Sequence, residues 1–145
     1  MNSENKSIVT NFIEEIWNQS QFEKIDNYIS TGFVDHSLPP TLPANKDGMK
    51  LWIIGTGRSF EHKTIIDDMV CENNKVMLKI KMQMKHIGVW RGIEPTHFEN
   101  SIVGYRYYKL ADGKIIEHWA LIDGNLIENQ LKEVSKGCRI QGQAG

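Results

Sequence analysis

The chain is predicted to be α+β, with N-terminal helices packed on one face of a strongly curved, mostly antiparallel sheet. Three observations carry that prediction. Ile8, Val9, Phe12, Ile13, Ile16 and Trp17 recur at helical spacing, with Asn11, Glu14, Glu15 and Asn18 on the other side. From His62 onward the apolar period changes from helical to two. The pair Asp112-Gly113 then stands between two apolar runs, the commonest chemistry for a tight two-residue hairpin turn. Helices first and long strands afterwards, without β-α-β alternation, give segregated layers rather than a parallel sheet.

Taken in order, the first helix follows a capping Ser3 or Ser7, and Phe22, Ile25, Tyr28 and Ile29 form a shorter one. Gly32 ends it, Phe33 and Val34 are extended, and Pro39, Pro40 and Pro43 forbid regular structure beyond. A third helix is capped by Asn45, runs through Met49, Trp52 and Ile53, and leaves at Gly55 or Gly57. His62 to Cys71 forms a strand that turns at Asn73-Asn74. In the next strand Val76, Leu78, Ile80, Met82 and Met84 face one way, while Lys79, Lys81, Gln83 and Lys85 face the other. His86 continues the apolar face, and Gly88 to Pro95 is a loop carrying Trp90. His97 to Lys109 and Ile115 to Asp123 pair about Asp112-Gly113. Leu126, Ile127 and Leu131 make a short amphipathic turn before a polar, glycine-rich tail that is expected to fray.

The chain of 145 residues suits one domain, with an ordered core expected over about 5–134. Its 17 Lys and Arg against 18 Asp and Glu leave a net charge of −1, far from the basic excess of a nucleic-acid binder. No apolar run approaches the roughly 20 residues that span a bilayer, and the polar start lacks the apolar segment of a secretory signal. A cytoplasmic protein with no nucleic-acid or membrane partner is expected. Cys71 and Cys138 lack ligand spacing, so neither zinc nor a disulfide framework is supported, and two reduced thiols are expected.

The candidate chemistry lies in Gly113-Lys-Ile-Ile-Glu-His-Trp-Ala-Leu-Ile-Asp123. An apolar strand needs none of Glu117, His118 or Asp123 for packing, and a charge buried without a partner is costly. These groups either face solvent or line a cavity. His118 and Asp123 are five apart, so on a regular strand they face opposite sides, and only a β-bulge brings both to one cavity. Asp123 has a second reading, as a turn cap before Gly124.

The exit Phe33-Val-Asp-His36, the long strand pair and Asp-Gly-Lys-Ile-Ile-Glu-His-Trp followed by Asp123 resemble the SnoaL-like polyketide and ester cyclases of the nuclear transport factor 2-like (cystatin-like) superfamily. The likeness runs from about Ile8 to Leu131, and its loop from Ile87 to Thr96 departs from the family pattern at Arg91 and Glu94. The resemblance implies a cone-shaped cavity between helices and sheet, with no metal and no cofactor. It also implies a cavity carboxylate serving as general acid and base in an intramolecular aldol closure. Asp123 matches that carboxylate, and His36 and His118 match polar positions near the cavity. Trp52, Phe60, Met82, Met84, His86, Trp90, Phe98 and Trp119 are candidates to bind a small hydrophobic carbonyl compound. Homodimerisation through the sheets is implied as well. Two alternatives stay open: a non-catalytic binding or association module, and a ketosteroid-isomerase-like proton shuttle. The latter would want a tyrosine, and no spacing singles out Tyr28, Tyr105, Tyr107 or Tyr108.

Overall fold

The computed structural model describes the backbone of residues 2–144 and the side chains of residues 2–136. Helix α1 (Asn2–Phe12) runs into a π turn at Ile13–Asn18, and a 3₁₀ turn follows at Phe22–Asn27. Then come β1 (Ile29–Asp35), α2 (Lys46–Ser59), β2 (Phe60–Glu72), β3 (Lys75–His86), β4 (Glu99–Ala111), β5 (Lys114–Ile122) and α3 (Gly124–Ala144). The five strands form one curved, unclosed sheet in the order β1-β5-β4-β3-β2, with β1 parallel to β5 and the other pairs antiparallel. The α+β architecture is the one the helix-then-strand order predicts.

Local chemistry explains most boundaries. Asn45 caps α2 by accepting from the Gly48 amide at 3.0 Å, as its residue type suggests. The hairpin turn holds Asp112 at φ 49° and Gly113 at φ 75°, the pair of positive values that a two-residue turn between twisted strands demands. On β3 burial alternates without a break through Met84, because one face meets the helices and the other meets water.

Four expectations need correction. Helix α1 already runs from Asn2, so Ser3 and Ser7 lie within it rather than capping its start. The second helix is only a 3₁₀ turn, and Ile29 already starts β1, where it pairs with Ile115 of β5. Helix α2 does not leave at Gly55 or Gly57 but continues to Ser59, since no Cβ crowding or positive φ forces a stop at either glycine. The short turn after Gly124 is a longer helix, α3; the side chains of its distal part, Cys138 among them, lie outside the described residues.

The core fills the space between the helices and the concave face of the sheet. Val9, Phe12, Ile13, Ile16 and Trp17 meet Leu78, Ile80, Tyr108, Leu110 and Ile115 there. Phe12 sits edge-on to both Tyr108 and Tyr28 at ring distances of 6.0 and 6.1 Å. Among the described residues, no helix is long and apolar enough to cross a membrane.

Candidate active site

One irregularity in β5 decides what faces inward. Lys109 pairs with Glu117 and Leu110 with Ile115, so Ile116 is an extra residue without a partner on β4. This bulge lets Ile115 and His118, of opposite parity, both point into the protein. Downstream the alternation resumes. His118, Ala120 and Ile122 line the interior, while Trp119 and the 75% exposed Leu121 lie outside.

The interior here is a cavity of about 420 Å³. Its walls are mainly apolar, with Trp17, Trp52, Phe60, Met82, Met84 and Trp90 among them. The size and character suit one small hydrophobic molecule. Its most buried polar groups are Asp35 from β1, Arg106 from β4 and His118 from β5, which are 2%, 3% and 4% exposed.

These three form a linear array. Asp35 Oδ2 lies 3.1 Å from His118 Nδ1, and His118 Nε2 lies 3.2 Å from Arg106 Nη1. A guanidinium only donates, so His118 Nε2 accepts and its Nδ1–H donates to Asp35. The imidazole is therefore neutral. Burial pushes the His118 pKa down, and the nearby Arg106 charge adds to that, against the pull of Asp35. Burial would raise Asp35, but its bond and attraction to His118, the Ser37 amide at 3.0 Å and the Arg106 charge leave it below the ordinary value. Burial also lowers Arg106, which starts so high that it stays charged.

The surroundings hold the array in place. His118 stacks on Tyr108 at 4.7 Å, and the Arg106 guanidinium lies over the Trp17 ring at 4.4 Å. Burial raises the Tyr108 pKa, so its hydroxyl stays protonated. Neither that hydroxyl nor Arg106 Nε has a hydrogen-bond partner among the described residues. Strand β1 is tied to β5 by the His36 amide, which donates to the His118 carbonyl at 2.9 Å. The Ala120 amide in turn donates to Ser37 Oγ at 2.5 Å.

A family model described as SnoaL-like polyketide cyclase matches residues 7–131. The chain belongs to the SnoaL-like polyketide cyclase family. Solved structures with the same fold include AclR, a candidate hydroxylase from Streptomyces galilaeus, at 22% identity and a TM-score of 0.79 over 92% of this chain and 98% of that one. A candidate polyketide cyclase from Acidithiobacillus ferrooxidans reaches a TM-score of 0.81 at 19% identity, again over 92% and 98%. IdmH, a candidate polyketide cyclase from Streptomyces antibioticus, reaches 0.79 at 20% identity over 88% and 98%. At these identities the likeness speaks for the fold. A search of curated proteins found no match.

Within this SnoaL-like fold the expected site residues separate. His118, Trp52, Phe60, Met82, Met84 and Trp90 line the cavity. Asp123 does not: it is exposed, and its Oδ1 accepts from the Leu126 amide at 3.0 Å as the cap of α3. The bulge lies before both His118 and Asp123, so it leaves them on opposite faces. His36 also stands outside, stacked on Trp119 at 4.3 Å and bonded to Glu117 at 2.8 Å. His86 is buried against Phe60 and accepts from the Thr96 amide at 3.1 Å, which fixes the loop before β4. Phe98 packs on the core beside it. Among the described residues, no three His, Cys, Asp or Glu side chains converge as metal ligands would.

Asp35 and Arg106 were not singled out from the sequence, yet strand parity carries the signal. Phe33 is a core residue, so Asp35 shares its face; Ile102 and Leu110 are core residues, so Arg106 and Tyr108 share theirs.

Proposed function

We propose that this SnoaL-like protein is an acid–base enzyme that closes a ring in a small hydrophobic carbonyl compound by an intramolecular aldol step. The observation that supports the reading is a buried Asp35–His118–Arg106 array opening onto an apolar cavity. A bare structural ion pair would not need a neutral imidazole between its charges, facing a space of that size.

The chemistry follows from the array. A substrate carbonyl oxygen takes an Arg106 Nη–H, which releases the lone pair of His118 Nε2. That nitrogen removes the proton from the carbon beside the carbonyl, and Arg106 balances the negative charge gathering on oxygen. Asp35 holds the resulting imidazolium through Nδ1–H. The carbanion carbon bonds to a second carbonyl carbon of the same molecule, and the new alkoxide takes the proton back from Nε2. Every proton removed is returned, so the step consumes no oxidant, reductant or co-reactant. A base with a lowered pKa is unprotonated at neutral pH, which is what the first step requires.

The test is hydrogen–deuterium exchange beside the carbonyl of hydrophobic aryl methyl ketones in D₂O, followed by proton NMR. The wild type is expected to accelerate exchange, and His118→Gln to lose about 10²–10⁴-fold of that acceleration. Equal exchange by both, with the ketone bound in the cavity, would remove catalysis and leave a binding module.

A further inference from the structure

We infer that Trp17 is the positioning residue of the site: its ring face fixes the plane of the Arg106 guanidinium and thereby keeps an Arg106 N–H on His118 Nε2. The inference deepens the acid–base reading above and rests on it for its catalytic meaning, but its geometric content stands apart.

Arg106 is a buried cation with few bonds. Of its donors Nη1 reaches His118, while Nε has no partner among the described residues. An arginine normally locks its plane through several N–H bonds in fixed directions. One bond at the end of a long side chain leaves rotation about that bond open. Beyond that bond and the attraction of the neighbouring Tyr108 hydroxyl, the restraint on its plane is the face contact, with the guanidinium carbon 4.4 Å from the Trp17 ring centre. Such a contact is strongest where water is excluded, and both residues are almost fully buried.

Trp17 is itself held with unusual care. It lies in the π turn that ends α1, a wide coil that recurs at functional sites. The next residue, Asn18, clamps β2 with both ends of its amide: Oδ1 accepts from the Thr64 amide at 2.8 Å, and Nδ2 donates to the Thr64 carbonyl at 3.0 Å. His62, on the same strand, packs edge-on to the Trp17 ring at 6.0 Å and 75°. Burial and the neighbouring Arg106 charge lower the His62 pKa, so no second cation competes for the ring. Strand β2 and the helix end thus grip the indole from two sides, and its cavity-lining face carries Arg106.

The readout is the environment of His118, which is faced by Asp35 from β1, by Arg106 and Tyr108 from β4, and from the outer side of the strand pair by His36. With Arg106 unfixed, its repulsion of a second positive charge weakens and Nε2 is freed. Nitrogen-detected NMR of His118 and of the Arg106 guanidinium is compared in wild type, Trp17→Leu and Trp17→Phe. In Trp17→Leu the His118 titration midpoint is expected to move up, and the distinct Arg106 Nη signals to merge as the group rotates freely. Trp17→Phe, which keeps an aromatic face, is expected to hold both near wild type. Fluorinated tryptophan is the shape-preserving companion should the leucine variant fail to fold. It weakens the ring's attraction for cations, and the His118 midpoint is expected to climb with fluorine number. Unchanged His118 and Arg106 signals in Trp17→Leu and on fluorination would overturn the assignment and leave Trp17 as core. These measurements use no substrate. A wild type that exchanges no ketone proton overturns the acid–base reading alone.

Discussion

Asp35 Oδ2 and His118 Nδ1 stand 3.1 Å apart across the parallel β1–β5 pair, though 83 positions separate them in the chain. The contact joins two sheltered groups and, through His118, a third. Asp35→Asn removes the negative end and leaves Arg106 as a buried cation without a counter-charge. Breaking such a pair costs about 3–5 kcal/mol, whereas replacing both charges by apolar groups is close to neutral. The double variant Asp35→Leu with Arg106→Met is therefore expected to be more stable than the sum of the two single variants implies. Urea unfolding of the four proteins measures this. Simple additivity would show that Asp35 and Arg106 do not act through His118.

Asp123 separates packing chemistry from reaction chemistry. Asp123→Ala removes the cap of α3 and is expected to cost about 1 kcal/mol, while Asp123→Asn keeps an accepting oxygen and most of the stability. Ketone exchange is expected to survive both changes, because the carboxylate is exposed and outside the cavity. Loss of exchange in a fully stable Asp123→Asn protein would return the reaction to that carboxylate.

How far the sequence could be read follows from which features leave a periodic trace. Strand β3 was legible because one face is wholly buried and the other wholly wet, so its residues alternate. Asn45 and the Asp112-Gly113 turn were legible because each position demands a particular residue type. The bulge at Ile116 left no trace, since Ile116 differs in nothing from its neighbour Ile115. Without it the inward placement of Ile115 and His118 together cannot be deduced. The cavity aromatics Trp52, Phe60 and Trp90 were legible as apolar bulk, but Trp119 is of the same kind and lies outside with His36. What parity did hold, and a reading centred on β5 passed over, is the inward face of β1 and β4 that carries Asp35 and Arg106.

The buried imidazoles set the response of stability to acid. His118, His62 and His86 all have pKa values lowered from 6.5, chiefly by burial. Each binds its proton more weakly in the folded chain than in the unfolded one. The unfolded state therefore takes up more protons as pH falls through 6.5, and stability drops there. Asp35, held below its ordinary 3.8, adds a second and more acidic window: its contribution is present above that value and is lost as pH falls through the folded one. Urea midpoints are expected to be flat from about pH 8 to 7 and to decline by about pH 5. A midpoint that stays level to about pH 5 would mean that these rings are hydrated in the folded protein.

At the mouth of the cavity, Arg91 and Gly124 fit each other. Arg91 sits at φ 48° in a two-residue turn closed by the Trp90 and Ile93 amides, which donate to each other's carbonyls at 3.1 and 2.9 Å. Its guanidinium stacks on Trp90 at 4.6 Å and donates to Asn125 at 3.1 Å and Glu128 at 3.5 Å. A Cβ on Gly124 would lie 2.6 Å from Arg91 Nη2. The arginine tip is flexible, so Gly124→Ala is expected to displace it rather than to distort α3. Exposed pairs of this kind contribute about 0.2–1 kcal/mol, so global stability should hardly change. The amides of Trp90 and Ile93 are expected to exchange with D₂O faster, and an apolar fluorescent probe to enter the cavity sooner. Unaltered amide exchange together with unaltered probe entry would show that Arg91 does not restrain this loop.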